Sequence, residues 1–269
     1  MVLASLCRFV TEKKTWRIGA RVSAVIGATF LIASATPLSL WTYLSWLTLF
    51  CIVFALPMRF HRSLVSAVVG LITLSTFMWI HELSYRRVPV IPVYGQQTIF
   101  VIGDSISAGI RNEKQPWPEH LRRDYGFDVI NLAQAGATVQ SAIQQVQEVH
   151  KSNSVAIVEI GGNDFFSATK AADFATNLDQ LLGLLAKQRH TVVMFELPLL
   201  PFHNAFGEAQ RKVAAKYHIV LIPKTYMARV LGRTGGTIDG LHLSPSGHDA
   251  MARAIYQMLK LEPPRNPTH

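Results

Sequence analysis

A serine hydroxyl is a poor nucleophile near neutral pH. A chain that uses one must also carry a base and a group that fixes the base's tautomer. Four short blocks supply such residues in order. Gly103-Asp104-Ser105 ends the apolar run Phe100-Val101-Ile102. Gly136 lies in "QAGAT", and Gly162, Asn163 and Asp164 lie in "GGND". Asp239 and His242 open "DGLHLSPSGH". His242 is the best base for Ser105, and one turn of backbone brings the Asp239 carboxylate to its imidazole. Acyl transfer also needs donors where the tetrahedral oxyanion forms. The amides of Ser105 and Gly136 and the side-chain amide of Asn163 are the candidates. Glycine at 136 would let the backbone approach a substrate closely.

Each block has an ordinary structural reading by itself. Gly-Asp-Ser after a strand makes a turn, "GGND" is turn chemistry, and Asp239 can cap a loop. His248 follows Ser246-Gly247 at a helix start and reads as structural, whereas His203, near the end of another strand, could line a pocket. The conjunction and order of the blocks set the chemical reading apart.

The blocks need a scaffold that brings them to one edge. From Gln97 onward, short β-branched runs alternate with amphipathic stretches. Strands are predicted at 98–103, 128–133, 155–161, 191–197 and 219–223. Helices are predicted near 117–125, 138–150, 171–188, 203–217 and 245–260. Phe174, Leu178, Leu181, Leu182 and Leu185 recur at helical spacing and read as core. Near-continuous apolar strands between helices imply a parallel sheet covered on both faces, a three-layer α/β/α domain. In such folds sites lie beyond the carboxyl ends of the strands, where the first three blocks fall.

The first third of the chain is different. Residues 22–35, 40–56 and 64–80 are apolar and uncharged, which predicts an α-helical transmembrane region of about three spans within 1–80. Residues 81–96, with Pro89 and Pro92, read as a linker, 97–262 as the α/β domain and 263–269 as a tail. Of the net charge of +9, residues 1–95 hold nine Lys/Arg against Glu12 and Glu82, a balance of +7. These cations flank apolar segments and read as membrane topology signals rather than a nucleic-acid-binding face. Five of them precede the first apolar segment, and Arg59 and Arg62 follow the second. With three spans, that pattern puts the α/β domain on the extracytoplasmic side of the cell membrane. The two cysteines, Cys7 and Cys51, both precede the α/β domain, which rules out a disulfide framework, a zinc site or a cysteine nucleophile within it. The first loop also lacks the glycine patterns of nucleotide-binding folds.

The blocks "GDSIS", Gly136, "GGND" and "DGLH" resemble those of the SGNH/GDSL hydrolase superfamily, and most closely its small bacterial arylesterase and lysophospholipase members. The resemblance spans about residues 97–262. It implies a flavodoxin-like fold, no metal or cofactor, and ester or thioester cleavage through an acyl-enzyme. It also implies Ser105 as nucleophile, His242 as base and Asp239 as its orienting acid. Gly136, Asn163 and the Ser105 amide would form the oxyanion hole. Ile106 stands where leucine is commoner, and the N-terminal apolar region is not part of the usual form. The expected activity is a membrane-anchored serine esterase or acylhydrolase acting on lipid or envelope-glycan esters, with the bilayer as partner. The alternatives are a glycan O-acetylesterase or O-acyltransferase, and a non-catalytic module that binds an acylated or glycan ligand.

Overall fold

The computed structural model describes residues 36–55, 60–110, 115–188, 190–199 and 202–263. In chain order the elements begin with α1 (Leu40–Ala55), α2 (His61–Ser84), β1 (Ile91–Tyr94), β2 (Ile99–Gly103), α3 (Ser105–Ala108) and α4 (Trp117–Arg123). They continue with β3 (Val129–Asn131), α5 (Val139–Gln147), β4 (Val155–Glu159), α6 (Gly162–Phe166), α7 (Ala171–Lys187) and β5 (Thr191–Phe195). The last are α8 (Asn204–Lys216), β6 (Val220–Ile222), α9 (Lys224–Gly232), α10 (Pro245–Tyr256) and β7 (Leu259–Glu262).

The chain divides into two compact units. One holds the residues up to Glu82 together with 200–205; the other holds 83–199 and 206 onward. In the second unit, β3-β2-β4-β5-β6 form one sheet, all parallel. Counted from β2, that order is the flavodoxin-like 2-1-3-4-5, whose crevice opens between the first and third strands, here β2 and β4. Strand alternation explains the layers. Ile99, Val101, Val155 and Ile157 pack on one face with Trp117, Leu121, Met251 and Ile255. Phe100, Ile102, Ala156 and Val158 pack on the other with Val139, Val146, Phe174 and Leu178. A sheet buried on both faces cannot show polar alternation, which is why these strands read as unbroken apolar runs.

The segment read as a linker holds more structure than its prolines suggest. Residues 81–84 continue α2, and β1 pairs in parallel with β7, Ile91 opposite Leu259 and Val93 opposite Leu261. Pro92 is tolerated because β1 has a single partner, so its missing N–H disturbs no second ladder. Ile91 and Val93 are fully buried in the first core cluster. Ile91→Ala in the full chain is therefore expected to lower stability by about 2–5 kcal/mol. Denaturant unfolding checks this, and an unchanged midpoint would place β1 outside the core.

The N-terminal unit corrects the expectation of about three spans. Residues 22–35 lie outside the described residues. The second apolar segment forms α1, whose 16 residues reach only about 24 Å, short of a bilayer core of about 30 Å. The third lies in α2, where Val65–Ser84 is long and apolar enough to cross. A multi-pass region is thus not supported; among the described residues one helix is long and apolar enough to cross. Within the unit, Trp46 Nε1 donates to Ser75 Oγ at 2.9 Å, tying α1 to α2. Asn204 Nδ2 donates to the Thr36 carbonyl at 2.9 Å and to the Tyr43 hydroxyl at 2.6 Å.

Candidate active site

Strand β2 ends at Gly103, opposite Glu159 of β4. A Cβ at 103 would lie 2.7 Å from the Glu159 carbonyl oxygen, so only glycine lets the two strand ends sit this close. The Gln145 side chain grips the same residue. Its Oε1 accepts from the Gly103 amide at 2.9 Å, and its Nε2 donates to the Gly103 carbonyl at 3.0 Å. Asp104 then caps α3, its Oδ1 accepting from the Ile106 amide at 3.0 Å. Ser105 is the first residue of α3 and is buried.

After β3 the chain turns through Gly136, whose φ of +80° is left-handed backbone. A Cβ there would meet open space, so conformation and not room calls for glycine. Thr138 and Ser141 form a capping box that starts α5. After β4, Gly161 turns the chain with φ +114°, and α6 presents Asn163 and Asp164. Asn163 Nδ2 donates to the Ala137 carbonyl at 2.9 Å and reaches Asp104 Oδ2 at 3.5 Å. Asp164 Oδ2 accepts from the Val139 amide at 2.9 Å. The two carboxylates therefore join the serine turn, the Gly136 loop and the Asn163 helix. Burial pushes the Asp164 carboxyl above its ordinary value, opposed by the Val139 amide.

Asp239 and His242 form a separate clasp. His242 Nδ1 lies 2.7 Å from Asp239 Oδ2. Asp239 Oδ1 accepts from the amides of Leu241 at 3.0 Å and His242 at 2.8 Å. The His242 side chain, then these amides, hold the Asp239 carboxyl well below the usual carboxylate range. Gly240, at φ +88°, makes the tight turn, and a bridge between Thr237 and Leu243 closes the loop. Ser105 and His242 share no hydrogen bond, yet a charge on His242 acts on Asp104, the residue beside Ser105.

All five expected positions thus fall in the α/β unit, Ser105 and Asn163 in short helices and Gly136, Asp239 and His242 on loops, with Ser105, Gly136 and Asn163 linked through Asp104 and the Ala137 carbonyl. His248 is buried, and its Nδ1 accepts from the Trp117 amide at 3.2 Å, a structural role as its position suggested. His203 groups with the N-terminal unit. Sequence reasoning passed over Glu159 and Ser107. Their only signal was an acid inside the apolar strand "VAIVEIG" and a second serine in "GDSIS". Among the described residues no cluster of three His, Cys, Asp or Glu could hold a metal ion.

Comparison with known proteins agrees with this architecture. The chain is similar to the psychrotrophic esterase EstA from Pseudoalteromonas sp., seen inhibited by monoethylphosphonate. Identity is 18%, the TM-score is 0.54, and the match covers 60% of this chain and 96% of EstA. It is similar to TesA at 24% identity and TM-score 0.54, covering 60% and 97%. A lipolytic G-D-S-L family protein from Veillonella parvula matches at 19% identity and TM-score 0.51, covering 60% and 97%. Likeness at such identities speaks for the fold alone. No curated protein matches the sequence. The sequence pattern of the GDSL-like Lipase/Acylhydrolase family matches residues 101–250, more than half of the chain. The chain therefore belongs to the GDSL-like lipase/acylhydrolase family and is a serine hydrolase of ester bonds.

Proposed function

We propose a membrane-anchored serine esterase or acylhydrolase that works through an acyl-enzyme on Ser105. The observation that supports it most is the carboxylate lattice that ties Ser105, Gly136 and Asn163 together, with the Asp239–His242 pair at 2.7 Å supplying an oriented imidazole. Ser105 Oγ attacks the acyl carbonyl and passes its proton to His242 Nε2. Asp239 holds Nδ1 protonated, so Nε2 is the free acceptor. The amides of Ser105 and Gly136 stabilise the oxyanion. One Asn163 proton is committed to the Ala137 carbonyl at 2.9 Å. The other, at 3.5 Å from Asp104, is barely bonded and is the one that turns to the oxyanion. His242 then protonates the departing alcohol, and water repeats the sequence to release the acid. Hydrolysis of p-nitrophenyl esters of graded chain length by the full chain tests the reading and reports acyl preference.

A second reading, a glycan O-acetylesterase or O-acyltransferase, draws on one feature. A cavity of about 360 Å³ between α5 and α7 is lined by Thr138, Gln140, Asp164, Thr169, Asp173 and Thr176. Hydroxyls and carboxylates suit a polyhydroxylated alcohol better than an acyl chain. Acetate release with and without added acetylated glycan separates the readings.

Anchoring is assigned to Val65–Ser84, whose side chains are largely unburied. Seven Lys/Arg precede this helix in the sequence against Arg86 and Arg87 just after it, so a single crossing also favours the α/β domain on the extracytoplasmic side. Reporter fusions after Gln97 test this, and activity of a cytoplasmic reporter alone would overturn it.

A further inference from the structure

Beneath Ser105 lies a buried polar cluster that the hydrolytic steps do not use. Asp104, Ser107 and Glu159 are 3%, 0% and 1% exposed. Counting donors fixes the Ser107 proton. The Trp117 indole N–H can only donate, and it reaches Ser107 Oγ at 3.1 Å. Ser107 Oγ, 2.8 Å from Glu159 Oε2, then gives its own proton to that oxygen. The β2–β4 register seats Glu159 beside Asp104, whose amide donates to the Glu159 carbonyl at 3.3 Å, and the two carboxyls interact. Asp104 accepts from the Ile106 amide at 3.0 Å and feels the His242 charge, so the shared proton is placed on Glu159 and Asp104 is kept as the carboxylate. Two bare carboxylates here would repel at close range in a site this buried.

We infer that Glu159 is a positioning residue, a neutral carboxyl group that donates to Asp104 and so holds the nucleophile turn and the Asn163 amide in one arrangement. The inference rests on Ser105 as the nucleophile. Glu159 acts through Asp104, which caps the helix that Ser105 begins. Burial first, and the Asp104 charge second, raise the Glu159 carboxyl well above its ordinary value. Burial pushes Asp104 up to about 6, while the Ile106 amide, His242 and Glu159 pull it down and Asp164 pushes it further up. His248 accepts from the Trp117 amide through Nδ1.

Unfolded Glu159 gives up its proton near 4.5, and folded Glu159 keeps it to higher pH. Its contribution is full below about 4.5 and declines as pH rises toward the folded value.

The test compares wild type, E159Q and E159A as full chains. Glutamine keeps an N–H donor for Asp104 and an acceptor for Ser107 but cannot ionise. The infrared band of a protonated carboxyl is expected at neutral pH in wild type and absent in E159Q. On p-nitrophenyl acetate, E159A should lose about 10- to 100-fold in kcat with KM within about twofold, and E159Q should restore kcat to within about threefold. Wild-type kcat should fall about tenfold at alkaline pH, and E159Q should remove that fall. The Tm of E159Q should gain on wild type as pH rises. Absence of the carboxyl band, wild-type kcat in E159A, or an unchanged alkaline fall in E159Q would each overturn the inference. An E159A chain that does not fold leaves the band and the E159Q profile to decide. Wild type inactive on every ester would count against the serine reading, while the band and the Tm gap still judge the pair.

Discussion

Ser105→Ala lowers kcat/KM for p-nitrophenyl acetate by about 10⁴-fold or more, with the melting temperature within about 2 °C of wild type. The size follows from what is removed. Without Oγ no acyl-enzyme forms, and water must attack directly, assisted only by the oxyanion donors and substrate binding. The small thermal effect follows from the local structure. The cap on α3 runs from the Ile106 amide to Asp104 and does not involve the Ser105 hydroxyl, which has no hydrogen-bond partner among the described residues. Alanine is also a good helix former at the first position of α3. Kinetics and thermal unfolding of the same full-length preparation check both halves. Activity retained in the variant would remove Ser105 as nucleophile and leave the family's ester chemistry to another group. Loss of folding would instead make the hydroxyl structural.

The legible part of the site was the part that small residues and turns punctuate. Gly103-Asp104-Ser105 and "GGND" interrupt runs of β-branched residues, and an interruption at a strand's carboxyl end is where an open α/β sheet keeps its chemistry. The sheet itself was legible for the same reason, because burial on both faces leaves apolar runs that helices must separate. The supporting layer was hidden. Glu159 reads as a stray acid in a strand, because only the pairing of β2 with β4 puts it beside Asp104. Gln145 reads as one more polar residue of an amphipathic helix, yet it grips both backbone groups of Gly103 from 42 positions away. β1 and β7 were hidden by composition. "IPVY" carries a proline, and "LKLE" runs on from α10 as if the helix continued. α9 was missed because "KTYMARVLG" is short and mixed, and helix formation there depends on burying Met227 and Val230. For the N-terminal segments, apolarity was plain but length was not. Composition alone did not show that the helix described there, Leu40–Ala55, has only 16 residues.

Asp239→Asn should lower kcat by about 10²- to 10³-fold with KM little changed, less than the roughly 10⁴-fold typical of a fully buried triad aspartate. The discount reflects exposure, since the Asp239 side chain is 47% accessible and solvent screens its charge. The mechanism of loss is tautomeric. Asparagine keeps one oxygen for the amides of Leu241 and His242, so the turn through Gly240 survives. The group that then faces Nδ1 is an NH2, which makes Nδ1 the acceptor and moves the imidazole proton to Nε2. A protonated Nε2 cannot take the proton of Ser105. The variant's pH profile separates this account from simple loosening of the loop. In wild type the His242 and backbone hydrogen bonds keep Asp239 ionised far into acid. The clasp's contribution is therefore present above the ordinary carboxylate value of 3.8 and is lost only as pH falls below it. Protonation of Asp239 accordingly sets no limit on activity near neutrality, and the Asn variant should be slow at every working pH. Asp239→Ala, which leaves the imidazole free to choose its tautomer, should be less impaired than Asp239→Asn. Equal loss in the two variants would assign Asp239 to holding the loop, and a negligible loss in both would leave His242 oriented by its backbone alone.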